Sequence, residues 1–150
     1  RSAGGGGVHF YKRLADAFRE NLATGPIFRG LKATVSDGDR CVGLVQLTPE
    51  AMTHLDSKGS FVFNPVASDM AVQVASSWAM ERLMVMAIPA SVERVEVYRP
   101  LAGTDAYVCC RLVSMSEEST VVDLTIREKD TTPCYAMKSL VLRTIARMVK

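Results

Sequence analysis

The sequence predicts an α+β fold in which one buried helix packs against an antiparallel sheet. Residues 64–86 form a single long apolar segment, which is the candidate for the buried helix. Residues 31–47 have the pattern of a hairpin, and the runs after residue 91 alternate apolar and polar side chains with the period of a strand. At 150 residues, the chain is long enough for one domain with a substantial core.

The chain opens with a segment that we do not expect to belong to the domain. Residues 1–9 include four consecutive glycines, which indicates a flexible linker or a cut end. Residues 10–150 are then the predicted domain. Its first element is an amphipathic helix over residues 10–21, because the apolar side chains there recur on one stripe.

Two short strands and a loop follow. Residues 31–35 and 41–47 are apolar enough for strands, and Asp37 and Gly38 between them favour a tight turn. Residues 48–60 are polar and contain proline and glycine, so they are predicted to form a loop with at most one short helical turn.

The central helix is predicted over residues 65–86. Asn64 is a preferred N-cap residue, and Pro65 is favoured at the first helical position. Trp78 is expected in the core or at a partner interface, where its ring removes a large apolar area from water. After the helix, the sequence predicts four strands over residues 92–98, 107–113, 121–128 and 135–145.

Composition argues against two classes of partner. A net charge of +2 and an aromatic content of 7% give neither a basic footprint nor a stacking platform for nucleic acid. The apolar helix is interrupted by Asp69, Gln73, Glu81 and Arg82, which disfavours a membrane span.

The cysteines do not predict a metal site. Cys41, Cys109, Cys110 and Cys134 form no C-x-x-C pair, and neither histidine of the chain lies near them in sequence. Adjacent residues of a strand point to opposite faces, so the pair at 109 and 110 fits small core residues rather than a disulfide framework. We therefore expect a cytoplasmic protein with reduced thiols.

Asp69 and Gln73 are the candidate catalytic residues. Residues four apart project from the same face of a helix, so this carboxyl and this amide should lie side by side. In an apolar helix the carboxyl would be desolvated, which raises its pKa and suits a general acid held in place by the amide. The alternative is a structural acid that caps the first turn or joins an ion pair.

Four segments resemble the C-terminal half of polyketide synthase dehydratase domains. Residues 25–31 (GPIFRGL) resemble its opening G-P-x-F-R-G-L segment, and residues 64–73 (NPVASDMAVQ) resemble its H-P-x-x-x-D-x-x-x-Q signature. Residues 88–98 and 140–143 are similar to two of its strands. The resemblance implies a hot-dog fold, a long central helix wrapped by an antiparallel sheet, as one half of a double hot dog.

In that family, the enzyme removes water from a β-hydroxyacyl chain tethered to an acyl carrier protein. A histidine of the first hot dog takes the α-proton, and the aspartate of the second protonates the leaving hydroxyl. The resemblance therefore implies that Asp69 is the acid, that Gln73 orients it, and that no cofactor is needed beyond the phosphopantetheine arm of the carrier. The remaining residues implied to contact the substrate are Asn64, Pro65, Phe28, Gly25 and Pro26. The implied partners are a hot-dog half carrying the histidine, the carrier protein and, in the parent synthase, a second copy of the chain.

The chain departs from the family pattern in several places. Asn64 stands where the signature usually has histidine, and Thr24 where the family usually has tyrosine. No H-x-x-x-G-x-x-x-x-P segment, which carries the histidine base in the family, occurs in the chain, and His9 and His54 fit exposed residues better than a base. Two alternatives stay open: a homodimeric hot-dog thioesterase or hydratase, and a non-catalytic acyl-binding hot dog.

Overall fold

The computed structural model describes residues 30–49, 64–129 and 132–147. In these ranges one helix packs against a six-stranded antiparallel sheet, which confirms the predicted fold class and the hot-dog arrangement. The predicted helix over residues 10–21 and most of the loop before the central helix lie outside the described ranges. The elements are β1 (Leu31–Asp37), β2 (Arg40–Gln46), α1 (Pro65–Leu83), β3 (Val85–Val97), β4 (Asp105–Met115), β5 (Ser119–Arg127) and β6 (Pro133–Arg147).

The strands lie in the order β1-β2-β4-β5-β6-β3. The first two form the predicted hairpin, which closes with Asp37 opposite Arg40. Gly38 in the turn has φ +61, a left-handed conformation that glycine adopts without strain. β3 follows the helix in sequence but pairs with β6, so it forms one edge of the sheet.

The central helix starts at Pro65 as predicted and ends three residues earlier than predicted. It ends at Leu83, because Met84 has φ 54 and ψ 45 and forms a left-handed C-cap. The chain then enters β3 at Val85, so the strand predicted over residues 92–98 is seven residues too short at its beginning. The apolar run around residue 85 fits both a helix and a buried strand, and periodicity alone does not locate the boundary.

The helix is the centre of the core. Every residue from 73 to 80 is buried, and Trp78 is 2% exposed, which confirms its expected place. Gly43 of β2 lies directly against Val74, since a Cβ atom on the glycine would come within 2.5 Å of the valine Cγ2. The close approach of strand and helix therefore requires glycine at this position.

The alternation of β4 and β5 divides the sheet into two faces. The side chains on the helix side are buried: Val108, Cys110, Val122, Leu124 and Ile126. Those on the outer side are exposed or half-buried: Cys109, Arg111, Asp123, Thr125 and Arg127. The alternation of apolar and polar side chains predicted for the runs after residue 91 is thus confirmed for β5.

Candidate proton-transfer site

The start of α1 is held by side-chain hydrogen bonds. Asn64 Oδ1 accepts from the backbone N–H groups of Val66 and Ala67, at 3.0 Å each, and forms the expected N-cap. The hydroxyl of Tyr135, on β6, accepts from the backbone N–H of Asn64 at 3.1 Å and from that of Leu101 at 3.2 Å. These contacts fix where the first turns of the helix lie relative to the sheet.

Asp69 and Gln73 lie together on this helix, as the sequence predicted. The amide Nε2 of Gln73 donates to Oδ2 of Asp69 at 2.8 Å. Gln73 is 5% exposed, whereas Asp69 is exposed. A buried amide therefore orients a carboxyl group at the surface of this chain.

The expectation that Asp69 is buried within this chain is wrong. Successive helix residues are rotated by about 100°, so only some positions can face the sheet. Val74 points at β2, while Asp69 shares the opposite side of the helix with Pro65, Ser68 and Val72, which are exposed or half-buried. Desolvation of the carboxyl would require another surface to cover this side of the helix.

The structural alternative for Asp69 is also not supported. Asn64 supplies the N-cap, and no acidic residue occurs in the first turn of α1. Among the described residues, no cation forms an ion pair with Asp69. The carboxyl is therefore neither a cap nor a member of a salt bridge within this part of the chain.

The other predicted site residues divide into two groups. Asn64 and Pro65 lie at the start of α1, where the asparagine Oδ1 is engaged by the cap and the proline is exposed. Gly25, Pro26 and Phe28 lie outside the described residues, as do His9 and His54.

Tyr135 was not predicted from the sequence. Its hydroxyl reaches a backbone group 71 positions away, and no motif spacing indicates such a contact. Residues 30–49, 64–129 and 132–147 contain no cluster of three or more metal-ligating side chains and no helix long and apolar enough to cross a bilayer.

Residues 4–150 match the family of polyketide synthase dehydratase N-terminal domains. The chain belongs to this family. No curated protein sequence matches it significantly.

Solved dehydratase domains share the fold. A trans-AT polyketide synthase dehydratase domain from Brevibacillus brevis is 20% identical with a TM-score of 0.74, covering 90% of this chain and 47% of that one. The dehydratase domain of RzxB from Pseudomonas fluorescens is 18% identical with a TM-score of 0.69, covering 88% and 46%. The dehydratase domain of a mycocerosic acid synthase-like polyketide synthase is 20% identical with a TM-score of 0.73, covering 88% and 47%. The chain thus spans about half the length of each.

The assignment to the C-terminal half of a dehydratase domain is wrong, because the family match is to the N-terminal domain. The short motifs in the right order therefore did not separate the two halves. Gly30 of the G-P-x-F-R-G-L segment illustrates this. A Cβ atom there would lie 2.2 Å from the backbone oxygen of Gln46 and 2.2 Å from the sulfur of Met70, so this glycine is required by close packing against β2 and the helix.

Proposed function

We propose that this chain contributes one hot-dog half to a polyketide synthase dehydratase, in which Asp69 and Gln73 form the proton-donating side of the site. The substrate class is a β-hydroxyacyl chain carried as a thioester on an acyl carrier protein. The observation that carries this proposal is the 2.8 Å contact between the Gln73 amide and the Asp69 carboxyl in a chain of the dehydratase family.

Dehydration needs an acid and a base on either side of the Cα–Cβ bond. Hydroxide is a poor leaving group, so a positioned acid must protonate the β-hydroxyl while a base removes the α-proton. The amide of Gln73 donates to Oδ2 of Asp69, which leaves the other carboxyl oxygen outside this hydrogen bond as the proposed donor to a bound hydroxyl. In this proposal, Asp69 gives its proton to the β-hydroxyl, which leaves as water when the Cβ–O bond breaks, and Gln73 keeps the carboxyl oriented.

The exposure of Asp69 supports a site completed by a second hot dog. Closing the site against another surface would exclude water and strengthen the interactions that the Asp69 carboxyl makes with a bound substrate. The uncovered side of α1 around Ser68 and Val72 is the surface that such a partner would cover. The half-length coverage of the solved dehydratase chains is consistent with a second half.

The edge strand β3 offers a place for this partner. An edge strand leaves a row of backbone N–H and C=O groups unpaired, and such a row attracts another strand. β3 also carries exposed apolar side chains at Ile88, Val92, Val95 and Val97, each at least 39% exposed. We propose that the second hot dog, or a second copy of this chain, covers this edge.

In the family the histidine lies on the first hot dog, which is the half that this chain matches, but the motif that carries the histidine is missing from this chain. We therefore propose that the base comes from the other hot-dog half. The chain contains no H-x-x-x-G-x-x-x-x-P segment, and its two histidines, His9 and His54, lie outside the described residues. Replacing each histidine by alanine distinguishes the two sources. Activity retained by both variants assigns the base to the partner, whereas its loss in one variant would place the base in this chain.

The proposal is tested by replacing Asp69 with asparagine. The chain is combined with the rest of its dehydratase domain, and loss of water from a carrier-bound β-hydroxyacyl thioester is followed by mass spectrometry. Asp69→Asn should lower turnover by about 10² to 10⁴, as expected for loss of a general acid. Gln73→Ala should lower it less, because the amide acts through the carboxyl.

Ser68→Ala is the matched control, since Ser68 lies on the same side of the helix as Asp69 and its hydroxyl donates to the Pro65 carbonyl. It should retain turnover within about twofold, as for an ordinary surface change. Unchanged turnover of Asp69→Asn would exclude the proposed role, even if the chain proved to be part of an active dehydratase.

A homodimeric hot dog remains the second candidate, and the apolar edge of β3 is the observation that favours it. In a symmetric dimer, each copy would cover the β3 edge of the other, and the two Asp69 carboxyls would lie in two equivalent sites. Sedimentation of the purified chain, followed by assays on saturated acyl thioesters, separates this reading from the dehydratase half. A monomer without thioesterase activity would eliminate it.

A further inference from the structure

Tyr135 is a fully buried residue of β6. Its partners in the two neighbouring strands are Ile126 of β5 and Val97 of β3. Its ring belongs to the same core cluster as Val66 and Met70 of α1. Protein interiors are close-packed, so a ring enclosed in this way presents its hydroxyl group at one fixed place.

The hydroxyl group of Tyr135 connects two segments that lie outside the sheet. It accepts from the backbone N–H of Asn64, just before α1, at 3.1 Å. It also accepts from the backbone N–H of Leu101, between β3 and β4, at 3.2 Å. A buried tyrosine hydroxyl usually finds one hydrogen-bond partner, and this one holds backbone groups of two separate segments. The hydroxyl therefore joins the start of the helix to the segment after β3.

The contact with Asn64 replaces one that many helices make within themselves. In a capping box, a glutamate or glutamine at the third helical position accepts from the N–H of the cap residue. In α1 that position is Ala67, whose side chain cannot accept a hydrogen bond. Tyr135 supplies this acceptor from β6, so the first turn of α1 is tied to the sheet as well as to itself.

The segment that contains Leu101 is itself held in place. Glu128, directly after β5, accepts with one carboxylate oxygen from the backbone N–H groups of Ala102 at 3.2 Å and Gly103 at 2.9 Å. Its other oxygen pairs with Arg99 at 3.0 Å. Leu101 packs against the core. The tyrosine hydroxyl therefore links α1 to a fixed segment, and this link constrains where the helix begins.

The position of the Asp69 carboxyl depends on where the helix begins. Its hydrogen bond is to Gln73 on the same helix, and no hydrogen bond or ion pair among the described residues joins it to the sheet. Asp69 follows Asn64 by five residues, which is about 7.5 Å along a helix axis. A shift of the first turns would displace the carboxyl, and a misplacement of about 1 Å can lower a catalytic rate by about 10².

We propose that Tyr135 is a positioning residue for proton transfer from Asp69. This inference rests on the function proposed above, since it takes Asp69 as the proton donor. Tyr135 acts through the helix. Its hydroxyl holds the backbone N–H of Asn64, and the helix then carries Asp69 and Gln73 to the place where the β-hydroxyl of the substrate binds.

The test compares Tyr135→Phe with the wild type, because phenylalanine keeps the ring and removes the acceptor. The chain is combined with the rest of its dehydratase domain. Loss of water from a carrier-bound β-hydroxyacyl thioester is then measured well below the unfolding temperature. The value of kcat should fall by about tenfold while KM stays within about twofold, because the proton donor is misplaced and the substrate is still bound.

Tyr107→Phe is the matched control for this substitution. Tyr107 is a half-buried tyrosine of β4 that lies on the outer side of the sheet, away from α1. The control should keep kcat and KM within about twofold of the wild type.

A double variant separates positioning from a general loss of structure. If Tyr135 acts through Asp69, adding Tyr135→Phe to Asp69→Asn should change kcat by no more than about twofold. A substitution that only destabilised the fold would lower kcat by the same factor in both backgrounds. Equal factors in the wild type and in Asp69→Asn would therefore overturn the proposal.

The same measurements distinguish this inference from the function on which it rests. Unchanged kcat in Asp69→Asn would exclude the proposed function and the role of Tyr135 together. Reduced kcat in Asp69→Asn with normal kcat in Tyr135→Phe would overturn the role of Tyr135 alone. Amide hydrogen exchange of the wild-type chain needs no variant: the N–H of Asn64 should exchange at least about tenfold more slowly than an unprotected amide. Exchange at the unprotected rate would overturn the proposal.

Discussion

The contribution of the α1 N-cap to stability can be predicted from two hydrogen bonds. Asn64 Oδ1 accepts from Val66 and Ala67 at 3.0 Å each, and the backbone N–H of Asn64 is itself held by Tyr135. Asn64→Ala removes the acceptor and leaves two helix N–H groups without a side-chain partner. We expect a loss of about 1 to 2 kcal/mol in the free energy of unfolding.

For a chain of 150 residues, that loss corresponds to a decrease of roughly 2 to 8 °C in the unfolding temperature. The measurement is urea and thermal unfolding of both proteins, followed by circular dichroism. Asn64→Asp is the matched control, because aspartate keeps the acceptor and adds a favourable charge at the helix N-terminus, so it should be at least as stable as the wild type. Equal stability of Asn64→Ala and the wild type would refute the assignment of Asn64 as the cap.

Three further predictions concern the core and the cysteines. Gly43→Ala should lower the free energy of unfolding in urea by about 1 to 3 kcal/mol, because the added Cβ would overlap Val74. Gly103→Ala is the control, since its Cβ would meet its nearest atom at 3.5 Å, and it should change the free energy of unfolding by less than about 0.5 kcal/mol. Equal effects would contradict the packing described. Burial raises the pKa of the Cys41 thiol from 9.0 to about 12. Above pH 9 the folded state therefore keeps a proton that the unfolded state loses. The free energy of unfolding should fall by up to about 1.4 kcal/mol per pH unit between pH 9 and about pH 12. Cys41→Ala should reduce this slope, and an unchanged slope would assign it to other groups. Cys109 is half-buried while the other three cysteines are buried, so iodoacetamide should modify one thiol of the native chain. Cys109→Ser should abolish that reaction. Modification of a second thiol at the same rate would contradict the burial pattern.

Local sequence patterns predicted the elements of the fold well. Proline and asparagine marked the start of α1, and Asp37 and Gly38 marked the hairpin turn, because each acts through backbone conformation or hydrogen bonding to near neighbours. The end of the helix was missed, since Leu83, Met84 and Val85 are apolar and compatible with either element. The return of β3 to the edge beside β6 involves residues far apart in sequence and has no local signal.

Only the part of the candidate site that depends on contacts between near neighbours in sequence was predicted. Contact between Asp69 and Gln73 follows from the local geometry of a helix, and the two side chains form a hydrogen bond in the structure. The exposure of Asp69 depends on which side of the helix faces the sheet. The role of Tyr135 depends on a hydrogen bond to the backbone of Asn64, which is 71 positions away in sequence. The half of the dehydratase was assigned wrongly, because the four short motifs did not distinguish the C-terminal half from the N-terminal half that the chain matches.

The role of Asp69 as a proton donor can be measured from the position of the substrate hydroxyl relative to its carboxyl group. A crystal structure of this chain, assembled with the rest of its dehydratase domain and a non-reactive β-hydroxyacyl thioester analogue, would provide it. We predict that the β-hydroxyl oxygen lies about 2.6 to 3.2 Å from the Asp69 carboxyl, with Gln73 still bound to its other oxygen. A bound analogue whose hydroxyl contacts other residues and lies beyond the reach of Asp69, even through one water, would contradict the proposed role.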